Sequence, residues 1–207
     1  MLFEKRKSNA GIVLWGDMYE LKALWGFVDD IQTKSLLIRN TEESPLLLLL
    51  SDIDQAHRGY RRKSTRDWYG EDKTPIYGFD WFWTDLLWQA GLLRAAMAFM
   101  PTLDRNHQAI MYALEDVIES SLNVMIPGTG NNFLEVALRI GTSGPTAIFK
   151  SSASRTHYFL TLTPEQRKAQ LWALVNSMDS VLAVIYRNEL PDFDDYSYID
   201  QYPQFKW

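Results

Sequence analysis

The most constraining feature of this sequence is the apolar stretch from Ile76 to Met100, IYGFDWFWTDLLWQAGLLRAAMAFM. No other segment has a comparable content of large apolar side chains, which here include Phe79, Trp81, Phe82, Trp83, Trp88 and Phe99. Full burial of one such side chain contributes about 1.5–3 kcal/mol to folding. The stretch therefore predicts a buried central helix that begins near Asp80 or Thr84 and ends before Pro101.

The same stretch is about as long as a helix that spans a bilayer. Asp85 and Arg94 interrupt it, and each costs roughly 2.5–3.5 kcal/mol at the centre of a membrane on insertion scales. At a spacing of nine residues, they fall on opposite faces of a helix and cannot neutralise each other. A core helix of a soluble protein is the better interpretation, and we expect no membrane association.

The composition is typical of a globular protein of the cytoplasm. Hydrophobic residues make up 46% of the 207 residues and charged residues 23%, which is enough apolar material for one substantial core. The net charge of −5 argues against nucleic acid as a partner. The chain has no cysteine, which excludes disulfides and thiolate metal sites and fits a reducing compartment.

Hydrophobic periodicity predicts the elements on either side of the central stretch. Strands are predicted at 2–6, 11–15 and 36–38, and helices at 17–33 and 44–59. Residues 58–73 form an irregular segment or a hairpin. Further helices are predicted to begin at Thr102 or Asp104 and at Thr163, the latter ending near Asn188. Residues 133–140 fit either a helix or a strand, and residues 146–149 and 158–162 suggest a second hairpin.

These elements predict an α+β fold. The two hairpins would form one small antiparallel sheet from the N-terminal and C-terminal parts, covered by about five helices around the buried central helix. Residues 1–190 would form a single domain, with a subdomain break near 127–132, where PGTGNN interrupts the pattern. Residues 191–207 would form an acidic-aromatic tail.

A basic cluster is the first candidate site. It consists of His57, Arg58, Arg61, Arg62 and Arg66, with Tyr60 between them. Guanidinium groups bind phosphate or carboxylate, and a neighbouring ring can stack on a base, so an anion, a nucleotide or an acidic partner is one interpretation. A solvated loop paired with nearby acidic residues explains the same pattern.

Asp54 and His57 have the spacing of neighbours on one helical face, as expected for an acid–base pair. No nucleophile accompanies them, and a salt bridge from Asp54 to Arg58 has equally suitable spacing. The three histidines are fifty residues apart in sequence, without a helical ligand motif, so no metal site is predicted. No cofactor motif is present either.

The tail PDFDDYSYIDQYPQFKW alternates aspartates with rings, among them Phe193, Tyr196, Tyr198 and Trp207. Such a segment can bind a partner protein, or it can fold back over its own core. Residues 58–73 carry six positive and three negative groups, whereas residues 189–207 carry five negative and one positive. Their opposite charges permit contact within one molecule or between two copies.

Three segments resemble a family of uncharacterised bacterial proteins of about this length: GIVLWGDMYELKAL from Gly11, LSDIDQAHRGYR from Leu50 and IYGFDWFWTDLLWQAGLLRAA from Ile76. The likeness lies mainly in the N-terminal 60% of the chain, and its motifs are apolar. The resemblance implies a bacterial cytoplasmic protein and implies no activity.

We therefore predict a non-enzymatic interaction or regulatory protein of the immunity type, whose partner is another protein or a second copy in a homodimer. The alternative is a small enzyme or an anion- or nucleotide-binding module that uses residues 57–66. If the chain has a functional cleft, we expect it where the basic segment meets the aromatic residues 79–83.

Overall fold

A computed structural model describes residues 1–39, 45–68, 72–143, 145–179, 181–186 and 188–193. Within these ranges the chain forms four strands and eight helices, which confirms the predicted α+β class. In chain order they are β1 (Leu2–Lys5), β2 (Gly11–Gly16), α1 (Met18–Lys34), α2 (Leu47–His57), β3 (Arg62–Trp68), β4 (Asp72–Phe82), α3 (Trp83–Met97), α4 (Arg105–Met125), α5 (Gly130–Thr142), α6 (Pro145–Thr161), α7 (Pro164–Asn176) and α8 (Ala183–Tyr186).

The strands form one antiparallel sheet in the order β1-β2-β4-β3. The turn between β1 and β2 places Asn9 at a φ of 52°, a left-handed conformation that asparagine tolerates better than most residues. The long strand β4 pairs through its second half with β2, where Gly11 faces Phe82, and through its first half with β3, where Thr65 faces Pro75. The register leaves β1 and β3 at the two edges.

The predicted C-terminal hairpin is wrong, because residues 146–149 and 158–161 belong to helix α6, which ends at Thr161. A short alternation of apolar and polar residues is weak evidence for a strand, and tertiary packing overrides it here. Phe159 and Leu160 are buried in the core from the last turn of α6. The second hairpin of the sheet is β3–β4, in the segment for which a hairpin was one of two alternatives.

Helix α3 is the buried central helix. Every one of its 15 residues is buried except Asp85 and Arg94, and it packs against α1, α4, α5, α6 and α7. It begins at Trp83, since the aromatic residues ahead of it continue strand β4. Arg94 does not remain unpaired, as its guanidinium binds the Glu115 carboxylate of α4 through two nitrogen atoms.

Several local predictions are settled by the caps and turns. Asp17, Asp104 and Thr163 each accept a hydrogen bond from the third residue of their helix, as predicted. The strand predicted at 36–38 is wrong, because Ile38 donates its N–H to the Ser35 carbonyl in a turn. Helix α7 also ends at Asn176, well before Asn188. The predicted start of α2 at Ser44 lies outside the described residues.

In the described part of the chain, no helix combines the length and the apolar character needed to cross a bilayer.

Candidate functional site

A cleft of about 360 Å³ opens where α2, the end of β4, the start of α3 and α6 come together. This volume lies in the range of small-ligand sites, roughly 300–1,000 Å³. Helix α3 follows strand β4 without a loop. The last residues of β4 and the first turns of α3 therefore line one wall of the cleft. The lining residues are Pro45, Leu48, Leu49, Asp52, Arg61, Asp80, Trp81, Phe82, Asp85, Trp88, Gln89, Ser152 and Ala153.

Asp85 lies in the first turn of α3 and is the most unusual group of the cleft. Its Oδ1 accepts hydrogen bonds from the Trp88 indole N–H at 3.3 Å and from the Thr156 hydroxyl of α6 at 3.0 Å. Desolvation raises the pKa of Asp85 to about 6, and the nearby charge of Asp52 adds to the increase. In the described part of the chain, no cation pairs with this carboxyl group.

Aromatic rings form the apolar wall beside Asp85. Trp81, Phe82 and Trp88 line the cleft, and the two tryptophans are almost fully buried. The Trp81 indole N–H donates to Gln89 Oε1 at 2.7 Å. This hydrogen bond fixes the Trp81 ring, near the end of β4, against the first turns of α3. The wall is therefore held in place before any ligand arrives.

The other two carboxylates of the cleft have cationic partners. Asp52 accepts from Arg61 Nη2 at 2.5 Å, and both side chains are partly exposed to solvent. Asp80 accepts from Arg62 Nε at 2.7 Å and lies 3.7 Å from Arg6 Nε. Burial nevertheless raises the pKa of Asp52, because its attraction to Arg61 does not fully offset the desolvation.

This arrangement suits a positively charged ligand. A desolvated carboxylate without a counter-charge is costly to the fold, and such groups concentrate at functional sites. A cation placed in the cleft can pair with Asp85 and lie against the faces of electron-rich rings. Among the residues described, no group of three or more histidine, aspartate or glutamate side chains could hold a metal ion.

The residues of the basic cluster do not converge on this cleft, since of the six only Arg61 lines it. Arg58, which follows the last residue of α2, binds Asp54 at 2.9 Å, and Arg62 binds Asp80. Tyr60 is exposed, His57 is half-buried at the end of α2, and Arg66 is half-buried on β3. The carboxylate of Asp54, which the sequence suggested as the partner of His57, therefore pairs with the guanidinium of Arg58.

Only the first ring of the tail lies within the described residues. Phe193 packs against α6, with the Arg155 guanidinium 4.4 Å from its ring centre and the Tyr158 ring at 5.9 Å. The start of the tail therefore folds back onto the protein. Tyr196, Tyr198 and Trp207 lie outside the described residues.

A second cavity, of about 230 Å³, lies between α3, α4 and α5. Its charged side chains are Arg94 and Glu115, which pair with each other, and Glu135, which is exposed to solvent, so this cavity offers no desolvated carboxylate comparable to Asp85. We therefore assign the candidate site to the larger cleft.

Sequence reasoning anticipated the position of the cleft but missed most of its polar groups. The sequence pattern does not mark Asp52, Asp85 or Gln89 as binding residues, and it indicates Asp80 only as a possible helix start. The available signal was a single acidic residue in the first turns of an otherwise apolar helix. Thr156 could not be found, because the segment that carries it was assigned to a hairpin.

Comparison with known protein families identifies a match. The family model described as "Domain of unknown function (DUF6904)" matches residues 3–183, which extends the resemblance far beyond the N-terminal 60%. No curated protein and no solved structure matches the chain.

Proposed function

The chain belongs to the family of the domain of unknown function DUF6904, and we propose that it is a non-enzymatic interaction protein that binds a basic side chain of a partner protein in the cleft. The observation that carries this proposal is Asp85, a desolvated carboxylate beside three aromatic rings, with which no cation among the described residues pairs. The absence of cysteine and the bacterial resemblance support a cytoplasmic role.

A lysine or arginine side chain has the right chemistry for this cleft. Its aliphatic part can lie along Leu48 and Leu49, and its charged end can reach Asp85 between Trp81 and Trp88. The rim is also apolar: Leu48 is 68% exposed and its neighbour Leu47 is 56% exposed. A partner surface can therefore cover these leucines while its basic residue enters the cleft.

The alternative of an anion- or nucleotide-binding module has less support. Arg58, Arg61 and Arg62 each bind an aspartate of the chain itself. A phosphate would have to displace these aspartates, whose carboxylates would then repel it. The geometry favours a cationic ligand over an anionic one.

The proposal is tested by titrating the protein with N-acetyl-lysine methylamide and N-acetyl-arginine methylamide. The neutral control ligand is N-acetyl-norleucine methylamide, which has a similar shape without the charge. We expect saturable shifts of the Trp81 and Trp88 indole N–H signals in NMR spectra with the two cationic ligands, and much weaker shifts with the neutral one.

Two variants make the titration specific. Asp85→Asn removes the carboxylate of the cleft that no described cation neutralises and should abolish the saturable shifts, whereas Asp54→Asn alters a partly exposed aspartate of α2 outside the cleft and should leave them unchanged. Equal responses to the cationic and neutral ligands, or unchanged binding in Asp85→Asn, would refute the proposal.

An acid–base enzyme is a second candidate, favoured by one observation. A carboxyl group with a pKa of about 6 suits proton transfer near neutral pH, because it holds and releases a proton under those conditions. This candidate predicts turnover by the purified protein that Asp85→Asn abolishes. The binding proposal predicts that the protein returns its ligands chemically unchanged, as mass spectrometry of the recovered probes would show.

A further inference from the structure

Strand β3 lies at one edge of the sheet that the described strands form. It is the last strand in the order β1-β2-β4-β3, and no described strand pairs with its outer side. Lys63, Ser64, Thr65 and Asp67 are exposed along it. An edge strand of seven residues presents unpaired backbone groups that can bind another strand.

Pro75 determines which backbone groups of β3 face outward. Thr65 lies directly opposite Pro75 of β4. Proline has no N–H, so this position cannot be one of the pairs that exchange two hydrogen bonds in an antiparallel ladder. The N–H and C=O of Thr65 therefore point away from β4, and those of Lys63 and Asp67, two residues away on either side, point the same way.

From these features, we infer that β3 pairs with β3 of a second copy in antiparallel orientation, centred on Thr65, to form a two-fold symmetric dimer. Each Lys63 then lies opposite Asp67 of the second copy, and the two Thr65 residues face each other. The three outward-facing positions supply about six backbone hydrogen bonds. Threonine pairs and opposite charges across strands add to the stability of the pairing.

Charge selects this register over its neighbours. Centring the pair on Ser64 would place Arg62 opposite Arg66 of the second copy, and centring it on Arg66 would place the two Arg66 side chains opposite each other. Like charges directly across a ladder are destabilising. The Thr65 register avoids both contacts and is self-complementary, as a two-fold interface requires.

The pairing is independent of the cleft function, because it uses the outer edge of β3 and none of the Asp85 contacts. The test measures the molar mass of the full chain by sedimentation velocity over a wide range of concentrations. We expect a reversible dimer for the natural sequence. A monomer at every concentration would overturn the inference.

Thr65→Pro removes the central outward N–H without removing a hydrogen bond to β4. The variant should therefore fold, but it should not dimerise. Thr65→Val is the matched control, since it keeps the N–H and should still dimerise. Circular dichroism and the unfolding curve verify that each variant is folded.

A charge exchange provides a second, independent test. Lys63→Glu and Asp67→Lys should each weaken the dimer by about tenfold, because each places like charges across the interface. The double variant Lys63→Glu/Asp67→Lys restores opposite charges and should recover the affinity. A dimer that withstands Thr65→Pro and both single charge changes would place the interface elsewhere and overturn the inference.

Discussion

Asp85 is a carboxyl group whose ionisation the fold opposes. Desolvation raises its pKa from 3.8 to about 6, so the folded state binds the proton more tightly than the unfolded state does. The ionised group therefore destabilises the protein above the folded pKa, and this cost disappears as the pH falls from about 6 toward the unfolded value. The cost is the physical link between the structure of α3 and the function proposed for the cleft.

The variant Asp85→Asn removes this cost while its amide oxygen can still accept from Trp88 and Thr156. We expect the variant to be more stable than the natural protein by about 1–3 kcal/mol above the pKa, and the gain to vanish in acid. Urea unfolding at a series of pH values measures it. Asp54→Asn, at a partly exposed position, should show little change, and a loss of stability in Asp85→Asn at neutral pH would contradict the account.

Arg167 of α7 is a buried arginine that serves the fold. Its guanidinium donates to the carbonyls of Phe159 and Leu160 at 3.0 and 2.7 Å, at the end of α6, and to the Ser8 carbonyl at 2.9 Å in the β1–β2 turn. One side chain therefore joins α6, α7 and the first hairpin. Burial lowers the pKa of Arg167, but the carbonyls satisfy its donors.

Replacing Arg167 by lysine should destabilise the protein by about 2–4 kcal/mol, because an ammonium group cannot reach all three carbonyls and leaves buried acceptors unpaired. Thermal unfolding followed by circular dichroism gives the value. The control Arg58→Lys changes an exposed pair within α2 and should cost less than about 0.5 kcal/mol. Equal effects of the two substitutions would show that Arg167 does not join these elements.

At the scale of elements, glycine residues allow α3 and α5 to pack in close contact. A Cβ added to Gly91 would lie 1.8 Å from the Ala137 carbonyl oxygen, and one added to Gly141 would lie 2.1 Å from the Gly91 carbonyl oxygen. The two helices therefore approach through their backbones. This contact sets the position of α3, and with it the position of the cleft at its first turns.

Gly91→Ala should force the two helices apart and cost about 3 kcal/mol or more, because backbone atoms cannot move aside as a side chain can. Gly26→Ala in α1 is the matched control: nothing lies within 4 Å of its added Cβ, so it should stabilise the helix by about 0.5–1 kcal/mol. Chemical denaturation of both variants tests the pair, and a neutral Gly91→Ala would contradict the close packing.

The sequence predicted the elements whose signals are local. Caps at Asp17, Asp104 and Thr163 and the periodicity of α1 and α4 were sufficient, since capping and amphipathic spacing act within a few residues. The strand β4 was partly mistaken for helix because its aromatic residues run directly into α3. Helix α6 was missed because its stability comes from distant contacts, such as that of Arg167, which a sequence pattern does not contain.

At the scale of the whole molecule, the cleft could be predicted in place but not in chemistry. The meeting of residues 58–73 with the aromatic residues 79–83 pointed to the region where the structure has this cleft. The pairing of Arg58 with Asp54 follows from their helical spacing. The pairing of Arg61 with Asp52 and of Arg62 with Asp80 could not be predicted, because both contacts form through tertiary structure. The same pairing leaves Asp85 as the carboxylate of the cleft without a cation among the described residues.

The most direct test of the account is the titration of the Asp85 carboxyl carbon by NMR, with and without N-acetyl-arginine methylamide. We expect a pKa of about 6 in the free protein and a lower value with the probe bound, because a cation next to the carboxylate favours its ionised form. The affinity for the probe should fall correspondingly as Asp85 becomes protonated. A free pKa in the ordinary range of aspartate, or one that the probe leaves unchanged, would contradict the central claim.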